Sequence, residues 1–253
     1  MHPVAHGTLR SLGRRVGGWL DHVAPRGCAL CGEALPPRAF PAFCVGCLID
    51  LPGSARPRCA RCGRPTDRPA PACTGCAGDH ATAPLDATLA AADYAPPLDR
   101  VVTALKFRRE LALARPLGEL LAARWAGEPA APPLDCLVPV PLTGRRLAER
   151  GFNQSLEIAR AMRAALGTRG GVGPVIVRGL RRVRDTPAQA GLDLAARRGN
   201  LAGCFACDAR VEGLSIGVVD DVMTSGSTLA EAARALKAAG AARVVALVAA
   251  RTA

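Results

Sequence analysis

Along residues 85–253 the hydrophobic positions switch repeatedly between two periods, and that alternation predicts the fold class. Apolar residues recur at helical spacing over about Leu98–Phe107, Leu113–Trp125, Asn153–Leu166 and Thr228–Ala239. Between them lie short apolar runs read as strands: one before Pro139, one at Val175–Arg178, one at Ser215–Asp220 and one at Arg243–Ala249. A further short helix is expected near Leu192–Arg198. Strands alternating with helices predict an α/β domain whose mainly parallel sheet is flanked by helices. Gly240 stands just past the last helix, where glycine commonly ends one.

The first 80 residues have a different texture, rich in Pro, Gly and Cys and poor in periodicity. Their one periodic stretch is Leu9, Leu12, Val16, Trp19 and Val23, an amphipathic helix within residues 1–25. Such a helix packs on its own protein, with a membrane or nucleic-acid contact as the alternative. The break around Ala81–Asp86 divides a Cys-rich module at 26–80 from the α/β domain at 85–253.

Hydrophobic residues make up 49% of the chain, enough for a sizeable core, yet aromatics are only 3%. That core must therefore be built from Ala, Leu and Val. No window approaches the ~20 apolar residues of a membrane span, and the start lacks a secretory signal pattern, so a cytoplasmic protein is expected. The net charge of +12 comes almost wholly from arginine, with lysine only at Lys106 and Lys237. Arginine grips phosphate well, so the charge supports a polyanionic ligand without saying which.

Four Cys-x-x-Cys pairs stand at Cys28/Cys31, Cys44/Cys47, Cys59/Cys62 and Cys73/Cys76. Two pairs supply the four thiolates of a tetrahedral structural zinc, so eight cysteines predict two ions. Pairing in sequence order is simplest, and spacing alone does not exclude an interleaved arrangement. Four thiolates leave no open position on the metal, so the zinc is expected to fold the segment and not to catalyse. Cys204 and Cys207 share the two-residue gap but lack a second pair, and Cys136 reads as a buried apolar residue.

The most informative segment is Ile216-Gly-Val-Val-Asp-Asp-Val-Met-Thr-Ser-Gly-Ser-Thr228. An apolar strand ends in Asp220 and Asp221, a loop of Thr, Ser and Gly follows, and a helix begins near Thr228. Backbone N–H groups and hydroxyls at a helix N-terminus favour a phosphate. Carboxylates beside it suit the vicinal hydroxyls of a ribose 5-phosphate. The segment is neither a Walker A loop nor a dinucleotide turn.

This segment resembles the signature of type I phosphoribosyltransferases that binds 5-phosphoribosyl-1-pyrophosphate (PRPP). With the cysteine-rich head, Leu105-Lys106-Phe107, Pro139-Val140-Pro141-Leu142, Arg150-Gly151-Phe152-Asn153-Gln154 and Thr186-Pro187-Ala188-Gln189, in that order, nearly the whole chain resembles the ComF family. The resemblance implies a type I phosphoribosyltransferase-like fold behind a double zinc ribbon. It implies ribose hydroxyls on Asp220 and Asp221, and the 5-phosphate on Thr224, Ser225, Gly226, Ser227 and Thr228. Met223-Thr-Ser replaces the usual Ile-Thr-Thr, and Ser225 still supplies a hydroxyl. Magnesium would accompany PRPP, held mostly by ligand oxygens and water. Lys106 and Arg150 would neutralise pyrophosphate; Arg145 and Arg146 either join them or are solvated. Asn153 is equally an N-cap, and Gln189 lies in a loop able to close over the site. The family's role in natural competence and DNA use implies single-stranded DNA or a DNA-uptake complex as partner. The alternatives are an active phosphoribosyltransferase of nucleotide salvage with an unidentified acceptor, and a zinc-dependent adaptor with a vestigial pocket.

Overall fold

The computed structural model describes residues 26–36, 39–68, 71–78, 84–128, 131, 133–167, 173–184 and 203–252. The expected N-terminal helix at 1–25, Thr186–Gln189 and the expected helix at Leu192–Arg198 lie outside these residues.

Five strands form the central sheet: β3 (Ala87–Asp93), β4 (Cys136–Pro139), β5 (Val175–Ile176), β8 (Ser215–Met223) and β9 (Arg243–Arg251). Their spatial order is β3-β9-β8-β4-β5, and every neighbouring pair is parallel. Parallel sheets are covered on both faces, which is why β9 is an almost unbroken apolar run, buried at eight of its nine positions. Alternate side chains divide it. Val245, Leu247 and Ala249 join Val219 on one face, beneath α3 (Leu98–Phe107), α4 (Ala114–Ala126) and α6 (Gln154–Gly167). Val244, Ala246 and Val248 join Val218 on the other, beneath α7 (Ser227–Ala238) and a small antiparallel pair, β6 (Leu180–Arg182) with β7 (Phe205–Cys207).

Helices α4 and α6 meet at Gly118, where a Cβ would come within 2.5 Å of the Ala161 Cβ and 2.6 Å of the Ile158 carbonyl. Only glycine permits that approach. The strand expected at Val175–Arg178 is shorter than the pattern suggests. Only Val175 and Ile176 pair, with Cys136 and Leu137 of β4, and the Val177 N–H makes the last ladder bond to the Leu137 carbonyl.

The cysteine-rich segment packs on this framework at two places. Its first part carries the β1 (Arg26–Gly27) and β2 (Ala34–Leu35) pair and α1 (Val45–Ile49). Phe43 and Leu51 enter the core of the first face, and the Ala42 N–H donates to the buried Glu119 carboxylate at 2.9 Å. Arg115 holds that carboxylate from one turn before, at 2.8 Å. The second part, ending in α2 (Thr74–Gly78), lies along the outer edge of β3. There the Thr88 N–H donates to the Ala60 carbonyl and the Thr88 hydroxyl to the Arg61 carbonyl. An edge strand is thereby covered, which removes its capacity to pair with another chain. Among the described residues no helix is long and apolar enough to cross a membrane.

Candidate functional site

Each cysteine set is assembled by knuckle turns. Gly32 and Gly63 follow the second cysteine of their pairs with φ of 77° and 69°, a region that favours glycine. The chain groups Cys28, Cys31, Cys44 and Cys47 together and Cys59, Cys62, Cys73 and Cys76 together, so the pairing is sequential and not interleaved. Sulfur separations are 3.7 Å for Cys31–Cys44, 3.9 Å for Cys59–Cys76 and 3.7 Å for Cys62–Cys73. A tetrahedron with zinc–sulfur bonds of about 2.3 Å has edges of about 3.8 Å. The donor set and its dimensions fit zinc in both groups.

Backbone amides prepare the thiolates. The Cys44 N–H points at the Cys28 sulfur and the Cys73 N–H at the Cys59 sulfur. Burial pushes Cys28 up, but the amides of Cys31, Cys44 and Leu30 outweigh it and bring the thiol down to about 6. Cys59 is likewise brought to about 7 by the amides of Cys62, Cys73 and Arg61 against burial. The Cys47 and Cys62 thiols are pushed up, burial first, because four sulfurs so close cannot all ionise without a cation among them. Cys204 is fully buried and belongs to neither group, and burial raises the buried Cys136 thiol to about 11.

The second constellation lies at the carboxyl ends of the parallel strands, where open α/β sheets place ligands. Strand β8 runs further than the sequence pattern suggests, through the acidic pair to Met223. The added length is paired, since Asp220, Val222 and Met223 register with Val248, Ala250 and Arg251 of β9 on either side of Asp221. The carboxylates are therefore held by sheet and not by loop. Asp221 is buried, and its Oδ2 lies 2.8 Å from the Lys106 Nζ in the last turn of α3. Its Oδ1 accepts the Val222 N–H. The partly exposed Asp220 accepts from the Ser155 hydroxyl at 2.8 Å and from the Asp221 N–H. Burial first and the Asp221 charge second push the Asp220 carboxyl up to about 7, against the Ser155 hydrogen bond and the Lys106 charge.

Gly226 follows in the left-handed region at φ 84°, and α7 starts at Ser227. The first N–H groups of a helix have no intrahelical acceptor, and here the Ser227 N–H is met by the Ser225 hydroxyl at 3.4 Å. Ser225 and Ser227 share a hydroxyl–hydroxyl bond of 2.9 Å beside them, with Thr224 exposed and Thr228 partly so.

The Arg150–Gln154 motif reaches the same place from below β4. Thr143 caps α5 (Gly144–Arg150) by accepting the Arg146 N–H, and Gly151 ends it at φ 82°. The Arg150 guanidinium donates to Gln154 and lies 5.7 Å from the centre of the Phe107 ring. It feels the charges of Asp221 and Asp220, while burial lowers its pKa. Asn153 is an N-cap, accepting the Ser155 and Leu156 N–H groups and donating to the Val140 carbonyl. That cap places Ser155 against Asp220. Arg145 instead makes an exposed pair with Glu149. Ser155 went unnoticed in the sequence, although its position two residues beyond Asn153 in a capped helix was a usable signal.

No family model matches the chain. It is 36% identical over 192 residues to DNA utilization protein YhgH of Salmonella typhi, covering 74% of this chain and 80% of that protein. The YhgH protein of Escherichia coli K12 is 35% identical with the same coverage. Competence protein F of Haemophilus influenzae is 28% identical over 204 residues, covering 78% of this chain and 85% of its own. The chain belongs to the ComF family. This member of the family thus combines two sequentially formed four-cysteine centres with an acidic pair and hydroxyl-rich turn at the end of β8.

Proposed function

We propose that this ComF-family chain binds PRPP with magnesium at the end of β8 and serves DNA utilisation or competence in the cytoplasm. The observation that carries the ligand is the junction of Asp220 and Asp221 with the turn at Thr224–Thr228. Two carboxylates accept vicinal ribose hydroxyls, while the amides of the turn, the Ser225 and Ser227 hydroxyls and the Thr224 and Thr228 side chains hold the 5-phosphate. Lys106 and Arg150 flank the acidic pair, where the pyrophosphate would lie. Lys106 already reaches Asp221 and would be shared between that carboxylate and the ligand. The hard oxygens of the acidic pair suit magnesium, which would add positive charge next to pyrophosphate when bound with the ligand. The zinc module at 26–80 and the domain at 85–253 are read as a structural head and a ligand-binding body.

In this reading the ionised Asp220 is the acceptor form. A carboxyl raised to about 7 is protonated below that pH and charged above it. Affinity for PRPP is therefore expected to rise between pH 6 and pH 8. In Asp220→Asn affinity is weaker, and its remaining pH dependence is that of the ligand's own phosphates. Equal pH slopes in wild type and variant, measured by equilibrium binding, would contradict the assignment of Asp220.

The DNA role rests on the relatives named for DNA utilization and competence, and on the +12 charge carried by arginine. With only 3% aromatics, base stacking is a minor contributor and phosphate contacts dominate. Binding of single-stranded DNA is expected to weaken about tenfold or more between 50 and 200 mM salt, as counterion release requires. A salt-independent affinity in a fluorescence anisotropy titration would rule out that mode.

A further inference from the structure

Arg251, the last residue of β9, is buried at 1% exposure. Its guanidinium spans two regions far apart in sequence. Nε donates to the carbonyl of Cys62, a member of the second cysteine set, at 3.0 Å. Nη1 donates to the carbonyl of Met223 at 3.1 Å, and Met223 immediately precedes the turn at Thr224–Thr228. The same nitrogen reaches the Thr252 carbonyl at 2.6 Å and the Thr252 hydroxyl at 3.1 Å, while the Thr252 N–H donates to Met223 as well. The Met223 carbonyl is thus held from two directions by the end of β9.

Among the described residues no carboxylate pairs with Arg251. A buried guanidinium needs a counter-charge nearby, and the second cysteine set adjoins Arg251 through Cys62. Four thiolates around a divalent zinc carry a net charge of −2. The metal-filled second centre therefore supplies both the carbonyl that orients Arg251 and the charge that keeps it buried. The first centre packs elsewhere, through Ala42 on Glu119 and Phe43 in the core of the opposite layer.

We infer that Arg251 is a positioning residue that ties the second cysteine centre to the turn at Thr224–Thr228, so that zinc at that centre sets the shape of the phosphate-binding turn. The inference rests on the proposed role of that turn, but the strut itself is testable without PRPP. When the second centre loses its metal, the knuckle that carries the Cys62 carbonyl is no longer fixed, and Arg251 loses the acceptor that orients it. The Met223 carbonyl then loses a donor, and the amides of the turn lose the geometry that a phosphate requires. Zinc would act on the ligand site through about one guanidinium length of protein, without touching the ligand.

Amide hydrogen exchange of the ligand-free chain tests this. Arg251→Met and Cys76→Ser are expected to raise exchange across residues 223–229 by about tenfold or more, the consequence of losing one charge-assisted hydrogen bond. Cys31→Ser, which empties the first centre, is expected to alter exchange near the start of α4 and leave residues 223–229 as in wild type. If Arg251→Met does not fold, Arg251→Lys serves, because an ammonium keeps the charge but cannot reach both carbonyls in the manner of the guanidinium fork. Unchanged exchange at 223–229 in the Arg251 variants, or equal loosening after loss of either centre, would overturn the inference. PRPP titration of the same samples separates the two ideas. A loosened turn in a protein whose wild type ignores PRPP keeps the strut and refutes the ligand.

Discussion

Replacing Cys59 by serine is expected to lower the zinc content from two ions per chain to one and to destabilise the second half of the cysteine-rich segment by several kcal/mol. Cys59 is fully buried, receives the Cys73 N–H, and lies 3.9 Å from the Cys76 sulfur. Among the described residues it clusters with the other sulfurs of its set. There is almost no apolar core there to survive the loss of the metal, and the binding free energy of a structural zinc, on the order of 10 kcal/mol, is folding free energy in such a segment. The effect should be local at first. Cys28, by contrast, sits in the large core with Phe43, Leu51 and α4, so Cys28→Ser should release one zinc at a smaller cost in stability. Metal analysis together with thermal unfolding checks both expectations. A Cys59→Ser protein that keeps two zinc ions would show that the second set does not bind as a four-cysteine site.

The second large effect belongs to Asp221. Asparagine there keeps the shape and an oxygen for the Val222 N–H, but it removes the charge paired with Lys106 at 2.8 Å. It also relieves the repulsion that helps to raise Asp220. These two changes oppose each other in the ligand-free fold, so stability should move little. In binding, the fuller ionisation of Asp220 offsets only a small part of the loss. The ligand loses a charged acceptor for its hydroxyls, and a freed Lys106 no longer stays in place beside the acidic pair. PRPP affinity is expected to fall at least about a hundredfold, the range for losing a charge-assisted hydrogen bond together with its positioned partner. Thermal unfolding and equilibrium binding on one preparation distinguish this outcome from simple misfolding.

What could be read from the sequence was what is encoded locally. The Cys-x-x-Cys pairs, the acidic strand end and the Arg150–Gln154 motif each sit within a few residues, and each forms a compact part of a candidate site. Helices α3, α4, α6 and α7 are marked by their amphipathic period. Three kinds of feature escaped. Strand β3 reads Ala-Thr-Leu-Ala-Ala-Ala-Asp, a composition that favours helix. It is a strand because β9 pairs with one edge and the cysteine-rich segment covers the other. Helix α5 is one short turn-rich piece whose cap, Thr143, is visible only once its helix is known. Arg251 closes a strand as an ordinary surface arginine would, and its Cys62 partner is 189 residues away. The pairing of the cysteine sets escaped for the same reason, because spacing constrains each knuckle but not which knuckles meet.

Those distant contacts change how the acidic segment is understood. It is not a free-standing loop but the end of a strand clamped between Lys106 and Ser155 on one side and Arg251 on the other. A candidate site so held is preformed, and a ligand there would bind without the cost of ordering a loop.

The most direct measurement is a calorimetric titration of the zinc-loaded chain with PRPP in the presence of magnesium, with Asp220→Asn and Asp221→Asn measured alongside. Saturable binding of one PRPP per chain is expected in wild type, weakened in the first variant and lost in the second. Absence of binding in the folded wild-type chain, or equal binding in all three proteins, would contradict the proposed site.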